Sequence, residues 1–173
     1  MSEAILARQP GPLGVPRAVL ARLIALLLPL ALLGGALGSQ YLGGLVPCQM
    51  CYWQRWPHAA AIVLAALAFT APASAGRARL LTLLAAAAIA ISGAIGVYHA
   101  GLELKIFEGL TTCTSTASGA TSAELLNSIM KTPLIRCDQV QFAFLGISMA
   151  GWNAILSLSG AGLIGWLTLK ARP

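Results

Sequence analysis

Charge is what this sequence has least of. Only 9% of its 173 residues are Asp, Glu, Lys or Arg, against about 25% in a soluble globular domain. So few charges would leave most of a water-facing surface apolar, which excludes an ordinary soluble domain. Internal repeats and low-complexity tracts are also missing, and the length fits one domain over residues 1–173. Cysteine is sparse too, at four residues, so each one needs an account.

What is present is hydrophobic, at 58% of residues with a mean hydropathy of +0.81. Four stretches carry no charge at all: Leu23–Gln54, Trp56–Gly76, Leu80–Leu102 and Gln139–Leu169. Each can supply the roughly 17–25 mostly apolar residues of a bilayer-crossing helix. One such run could be a buried helix or a signal-peptide core, but four cannot all be buried in so small a soluble core. The 22 residues through Arg22 are long for a signal's charged leader, so the first run is read as a retained span. The expectation is an all-α membrane protein, a four-transmembrane-helix bundle with spans at about 22–40, 55–71, 80–99 and 140–169.

The net charge of +6 is placed as a membrane protein places it, not as a nucleic-acid binder does. With the N-terminus inside, Arg8, Arg17, Arg22, Arg77, Arg79, Lys170 and Arg172 all fall on the inner side, with Glu3 the single acid. The outer side keeps Arg55, Lys105, Lys131 and Arg136 against Glu103, Glu108, Glu124 and Asp138, and sums to zero. Basic residues favour cytoplasmic loops, so both termini are expected in the cytoplasm. In the larger outer loop, about 100–139, Thr121-Ser122-Ala123-Glu124 has the form of a capping box. Leu125, Leu126, Ile129 and Met130 follow on one face, predicting a short amphipathic helix packed on the protein or lying along the membrane surface.

Cys48, Cys51, Cys113 and Cys137 all fall in the two outer loops. In an oxidising compartment an even external set reads as disulfides, grouped as Cys48 with Cys51 and Cys113 with Cys137. The first pair is C-x-x-C, which closes almost no chain and so stabilises little as a staple; its spacing suits a reactive couple. Arg55 lies four residues beyond Cys51. If the helix has begun by then, its guanidinium is one turn from the thiol and favours the thiolate. Pro57 fits best in a helix's first turn, which would instead start the regular helix after Arg55. The alternative role for Arg55 is a headgroup anchor beside Trp53 and Trp56; for Cys113–Cys137 it is a structural clamp. A soft-metal site built on the four thiols, with His99 or His58 joining, is the rival from another class. Trp53, Trp56, Trp152 and Trp166 suit an aromatic belt or the core. Glu103 can pair with Lys105 or Arg136.

Taken together, these residues resemble the disulfide bond formation protein B (DsbB) family. The likeness covers nearly the whole chain: four spans, C-x-x-C before the second, and another cysteine pair before the fourth. Cys48-Gln49-Met50-Cys51-Tyr52-Trp53-Gln54-Arg55 matches the family's C-x-x-C-x-x-x-R signature, and Tyr98-His99-Ala100-Gly101-Leu102-Glu103 is similar to a segment of one branch. The related vitamin K epoxide reductase type instead carries its C-x-x-C on a late helix.

The resemblance implies a protein-dithiol:quinone oxidoreductase of the bacterial inner membrane, with its redox loops facing the periplasm. Cys113–Cys137 would take electrons from a DsbA-like thioredoxin-fold dithiol oxidase, Cys113 forming the mixed disulfide. Cys48–Cys51 would receive them by exchange, and ubiquinone (or menaquinone) would accept them at Cys51 beside Arg55. His99 is placed by its position at the outer end of the third span, near the level expected for the quinone, either as a hydrogen-bond or proton donor to it or as an interfacial tip. No resident metal and no nucleic acid are implied; the partners are the thiol oxidase, the quinone pool and the lipid bilayer.

Overall fold

The computed structural model describes residues 15–108, 121–131 and 135–171. It is mostly helical. In order come α1 (Arg17–Tyr41), α2 (Gln49–Ala68), α3 (Gly76–Glu103), α4 (Ser122–Lys131), a hairpin of β1 (Ala143–Phe144) and β2 (Ile147–Ser148), and α5 (Met149–Lys170). Helices α1, α3 and α5 are long and apolar enough to cross a membrane. Helix α3 packs on both α2 and α5, and α1 packs on the same two.

The packing is inside-out relative to a soluble bundle. Its centre holds Ala21, Ala25, Ala61, Ala65, Ala85 and Ala161 around Ile89 and Ile164. Large apolar side chains such as Leu27, Val63, Leu80, Ile91, Ile155 and Trp166 face outward. Water would penalise that arrangement and lipid does not; small residues at helix contacts are what membrane bundles use for close approach. Gly96 is the clearest case: a Cβ there would stand 3.1 Å from the Ala150 carbonyl oxygen and the Ala154 nitrogen of α5.

The helix ends explain three boundaries that differ from expectation. α2 starts at Gln49, ahead of the expected 55, because Cys48 serves as its N-cap and its sulfur accepts from the Cys51 N–H at 3.3 Å. Pro57 is accommodated inside this helix. α5 starts at Met149, not near Val140. Leu145 (φ 53°) and Gly146 (φ 77°) make a two-residue reversal between β1 and β2, and Ser148 then caps the helix by accepting from Gly151 N–H at 3.1 Å. α3 extends past its expected end, through Glu103.

One predicted detail is present, and one contact was not foreseen. Thr121 and Glu124 form the reciprocal capping box, with both bonds at 3.2 Å. At the opposite end of the bundle, buried Arg22 donates through Nη1 to the carbonyls of Ala68 (2.6 Å) and Ala71 (3.0 Å), occupying acceptors at the end of α2.

Candidate redox site

The C-x-x-C pair sits where a helix begins. Cys48 has extended backbone angles and is 1% exposed, while Cys51 lies in the first turn, half-buried. Their sulfurs are 2.8 Å apart. The hydrogen bond to Cys51, reinforced by burial, pushes the Cys48 thiol well up, which favours Cys48 over Cys51 as the protonated member of the pair. Backbone N–H groups of the first turn point the helix's positive end at these sulfurs.

Because α2 has begun by Gln49, Arg55 does stand one turn beyond Cys51. Its guanidinium lies 5.2 Å over the Tyr52 ring and bonds to α1, to the Ala36 carbonyl at 3.1 Å and to the Gln40 side-chain oxygen. It lines a cavity of about 610 Å³ together with Cys48, Cys51 and His99. The remaining wall is mostly apolar and includes Leu32, Ala36, Val46, Phe142 and Trp152. That volume and lining suit a small flat apolar ligand with a few polar atoms. Arg55 Nε is buried with no hydrogen-bond partner among the described residues.

His99, near the end of α3, is 4% exposed. Its Nε2 is 3.6 Å from Cys48 Sγ and 3.9 Å from a Glu103 oxygen, and its Nδ1 is 2.8 Å from Gln54 Nε2. Glu103 therefore stands beside His99. The expected pairing with Lys105 or Arg136 goes to Asp138 instead, at 2.6 and 2.8 Å. Hydrogen bonds from Arg136 and then Lys105 hold the Asp138 carboxyl well below the usual carboxylate range. This clamp adjoins Cys137, which is 1% exposed and packs in one buried cluster with Cys48, Met50 and Leu102. So Cys48, Cys51, Cys137, Arg55 and His99 gather in one place. Cys113 lies outside the described residues.

Sequence reasoning missed a polar network behind these groups. Asn153 of α5 donates to Gln54 Oε1 at 2.7 Å and accepts from Ser157 at 3.0 Å. His58 Nε2 lies 2.9 Å from both Asn153 Oδ1 and Ser92 Oγ, and Ser92 donates to the Gln54 carbonyl at 2.8 Å. The one sequence signal was helical spacing, Gln54 to His58 and Asn153 to Ser157, four residues apart on α2 and α5.

A membrane-type helical bundle with a reactive thiol pair at a helix mouth, a third cysteine packed against it and an apolar cavity alongside defines a membrane thiol oxidoreductase. Comparison with known proteins agrees. Residues 18–167 match the family described as "Disulfide bond formation protein DsbB". The "Disulfide bond formation protein B" of Methylococcus capsulatus is 35% identical over 159 residues, covering 88% of this chain and 96% of that protein. No solved structure matches. The chain belongs to the DsbB family of disulfide-forming membrane oxidoreductases.

Proposed function

We propose that the protein reoxidises a periplasmic thioredoxin-fold dithiol oxidase and passes the electrons to ubiquinone or menaquinone. The observation that carries this reading is the shared burial of Cys48 and Cys137, with Cys51 of the same pair lining the apolar cavity. A thiol pair that touches a loop cysteine on one side and a lipid-ligand-sized cavity on the other has the contacts of an electron relay.

In this scheme the partner's two thiols lose two electrons and two protons as their disulfide forms, and the Cys113–Cys137 bond breaks. That bond re-forms as Cys48–Cys51 opens, Cys48 and Cys137 exchanging across their contact. A bound quinone supplies the two-electron, two-proton acceptor that returns Cys48–Cys51 to the disulfide. Cys51, at the positive end of α2 with Arg55 one turn on, faces the acceptor as thiolate. Arg55 would hold an oxygen of the bound quinone, His99 would line its site beside Cys48, and the apolar wall would exclude water. A cation beside the thiolate also stabilises charge developing on the ligand.

The same reading makes α2 the fourth span of a single domain over 1–173, in the bacterial inner membrane with both termini in the cytoplasm and the cysteine loops in the periplasm. Helix α4 would then lie along the membrane surface. Cys48, Cys51 and His99 also bring two sulfurs and a ring nitrogen within 4.8 Å of one another, the arrangement that the metal reading needs. Against it, the Gln54 amide faces His99 Nδ1 at 2.8 Å, which leaves the ring proton on the nitrogen that would have to ligate.

The deciding experiment is anaerobic mixing of purified protein with a reduced thioredoxin-fold partner and a soluble quinone, followed by quinone absorbance. Absorbance should fall in step with partner disulfide. No fall overturns the proposal, and a purified protein carrying stoichiometric soft metal on reduced thiols would favour the rival.

A further inference from the structure

We propose that Asn153 and Gln54 are positioning residues that lock His99 in the tautomer whose Nε2–H points at the Cys48 sulfur. The inference rests on the reading of Cys48–Cys51 as the redox pair.

The argument starts from an atom whose role has no ambiguity. The backbone carbonyl of Ser92 can only accept, and it lies 3.2 Å from Asn153 Nδ2. The Asn153 amide therefore presents its NH₂ on that side, and the same NH₂ reaches Gln54 Oε1 at 2.7 Å. With its oxygen taken, Gln54 turns its own NH₂ toward His99, 2.8 Å from Nδ1. Two donors cannot face each other, so Nδ1 is the bare nitrogen and the ring proton sits on Nε2. That proton lies toward Cys48 Sγ at 3.6 Å, with the Cys137 backbone and a Glu103 oxygen at 3.9 Å also beside the ring, and Cys48 in turn meets Cys51 Sγ at 2.8 Å.

Every link is buried or half-buried, and Gln54, His99 and Asn153 line the same cavity as the cysteines, so an apolar occupant there would shield the chain from water. Asn153 is itself held by Ser157 and His58, both directed at its oxygen. The chain thus runs from α5 through α2 and α3 to the C-x-x-C. A histidine N–H held on Cys48 stabilises negative charge there whenever that sulfur leaves or attacks; the other tautomer would set a lone pair against it. Among the described residues, the other ionisable groups around Cys48 are Cys51 on its own helix, Glu103 beside His99 on α3, and Cys137 in the loop.

The chain has only two histidines, so nitrogen-15 histidine labelling of the reduced full-length protein in detergent resolves both rings, with His58→Gln assigning them. His99 should show its proton on Nε2 and a bare Nδ1. In Asn153→Leu, and separately in Gln54→Leu, the spectrum should move to a tautomer mixture. Iodoacetamide labelling of Cys48, followed by peptide mass spectrometry through the alkaline range where this raised thiol reacts, should slow about tenfold in both variants, with its profile displaced about one unit upward.

A proton found on Nδ1 in the unmodified protein overturns the proposal without any variant. So does a tautomer that is unchanged in both variants, or one that shifts while Cys48 labelling does not. If one variant fails to fold, the other and the unmodified spectrum still decide. Neither readout uses quinone or a thiol partner, so failure here is separable from failure of the relay.

Discussion

Arg55 on α2 reaches across to Ala36 on α1, its Nη2 donating to the backbone carbonyl at 3.1 Å while Nη1 donates to Gln40. This two-point hold fixes the guanidinium against the cavity wall. A lysine ammonium has no planar fork with which to span both acceptors. Arg55→Lys should therefore raise the apparent KM for quinone about tenfold, with a smaller fall in kcat, the loss of one charged hydrogen bond being about 1.5–3 kcal/mol. Arg55→Ala should go further in the same direction. Steady-state quinone titrations read it, and an unchanged KM would reduce Arg55 to a headgroup anchor.

The cysteines should divide by substrate. Cys51→Ser should abolish quinone reduction with any thiol donor. Cys113→Ser and Cys137→Ser should lose turnover with the protein partner yet retain quinone reduction driven by a small dithiol acting on Cys48–Cys51. Parallel assays with the two reductants make the distinction. Equal loss with both donors would remove the loop pair from the relay.

Arg22 serves stability and not chemistry. Its side chain is buried, caps the end of α2 through Ala68 and Ala71, and lies 5.1 Å over the Phe69 ring. Arg22→Leu leaves those carbonyls short of a donor and should cost about 2–3 kcal/mol. Thermal unfolding in detergent measures it, and kcat on the surviving folded fraction should be unchanged.

The clamp beside Cys137 has a predictable pH response. Asp138 is depressed, first by Arg136 and then by Lys105. A depressed carboxylate contributes fully above its unfolded pKa of about 3.9 and is lost as pH falls through the lower folded value. Protection of residues 135–140 against hydrogen exchange should therefore hold from neutrality down to about pH 4 and fail only in stronger acid. Asp138→Asn should weaken it at every pH. A loss of protection between pH 7 and 5 would contradict the clamp.

Much of this was legible in residue order because lipid and redox chemistry both leave local marks. Charge-free runs marked α1, α3 and α5, and C-x-x-C with Arg55 marked the helix mouth. The start of α2 was misjudged because Pro57 was given a helix's first turn, although a cysteine can cap a helix as a serine does. The start of α5 was misjudged because an apolar stretch from Val140 hides a reversal at Leu145-Gly146, where the left-handed backbone and not hydropathy decides. Asn153, Ser92 and Gln54 were invisible as a group. Each is a single polar residue in an apolar run, and their partnership exists only once three helices are side by side.

The sulfur that caps α2 keeps its lone pairs whether it is bonded to hydrogen or to another sulfur. The Cys51 N–H has its acceptor at Cys48 in the thiol state, and a disulfide sulfur at Cys48 would still offer that N–H a lone pair. In the proposed relay, the mouth of α2 would then stay wound while its sulfurs trade bonds.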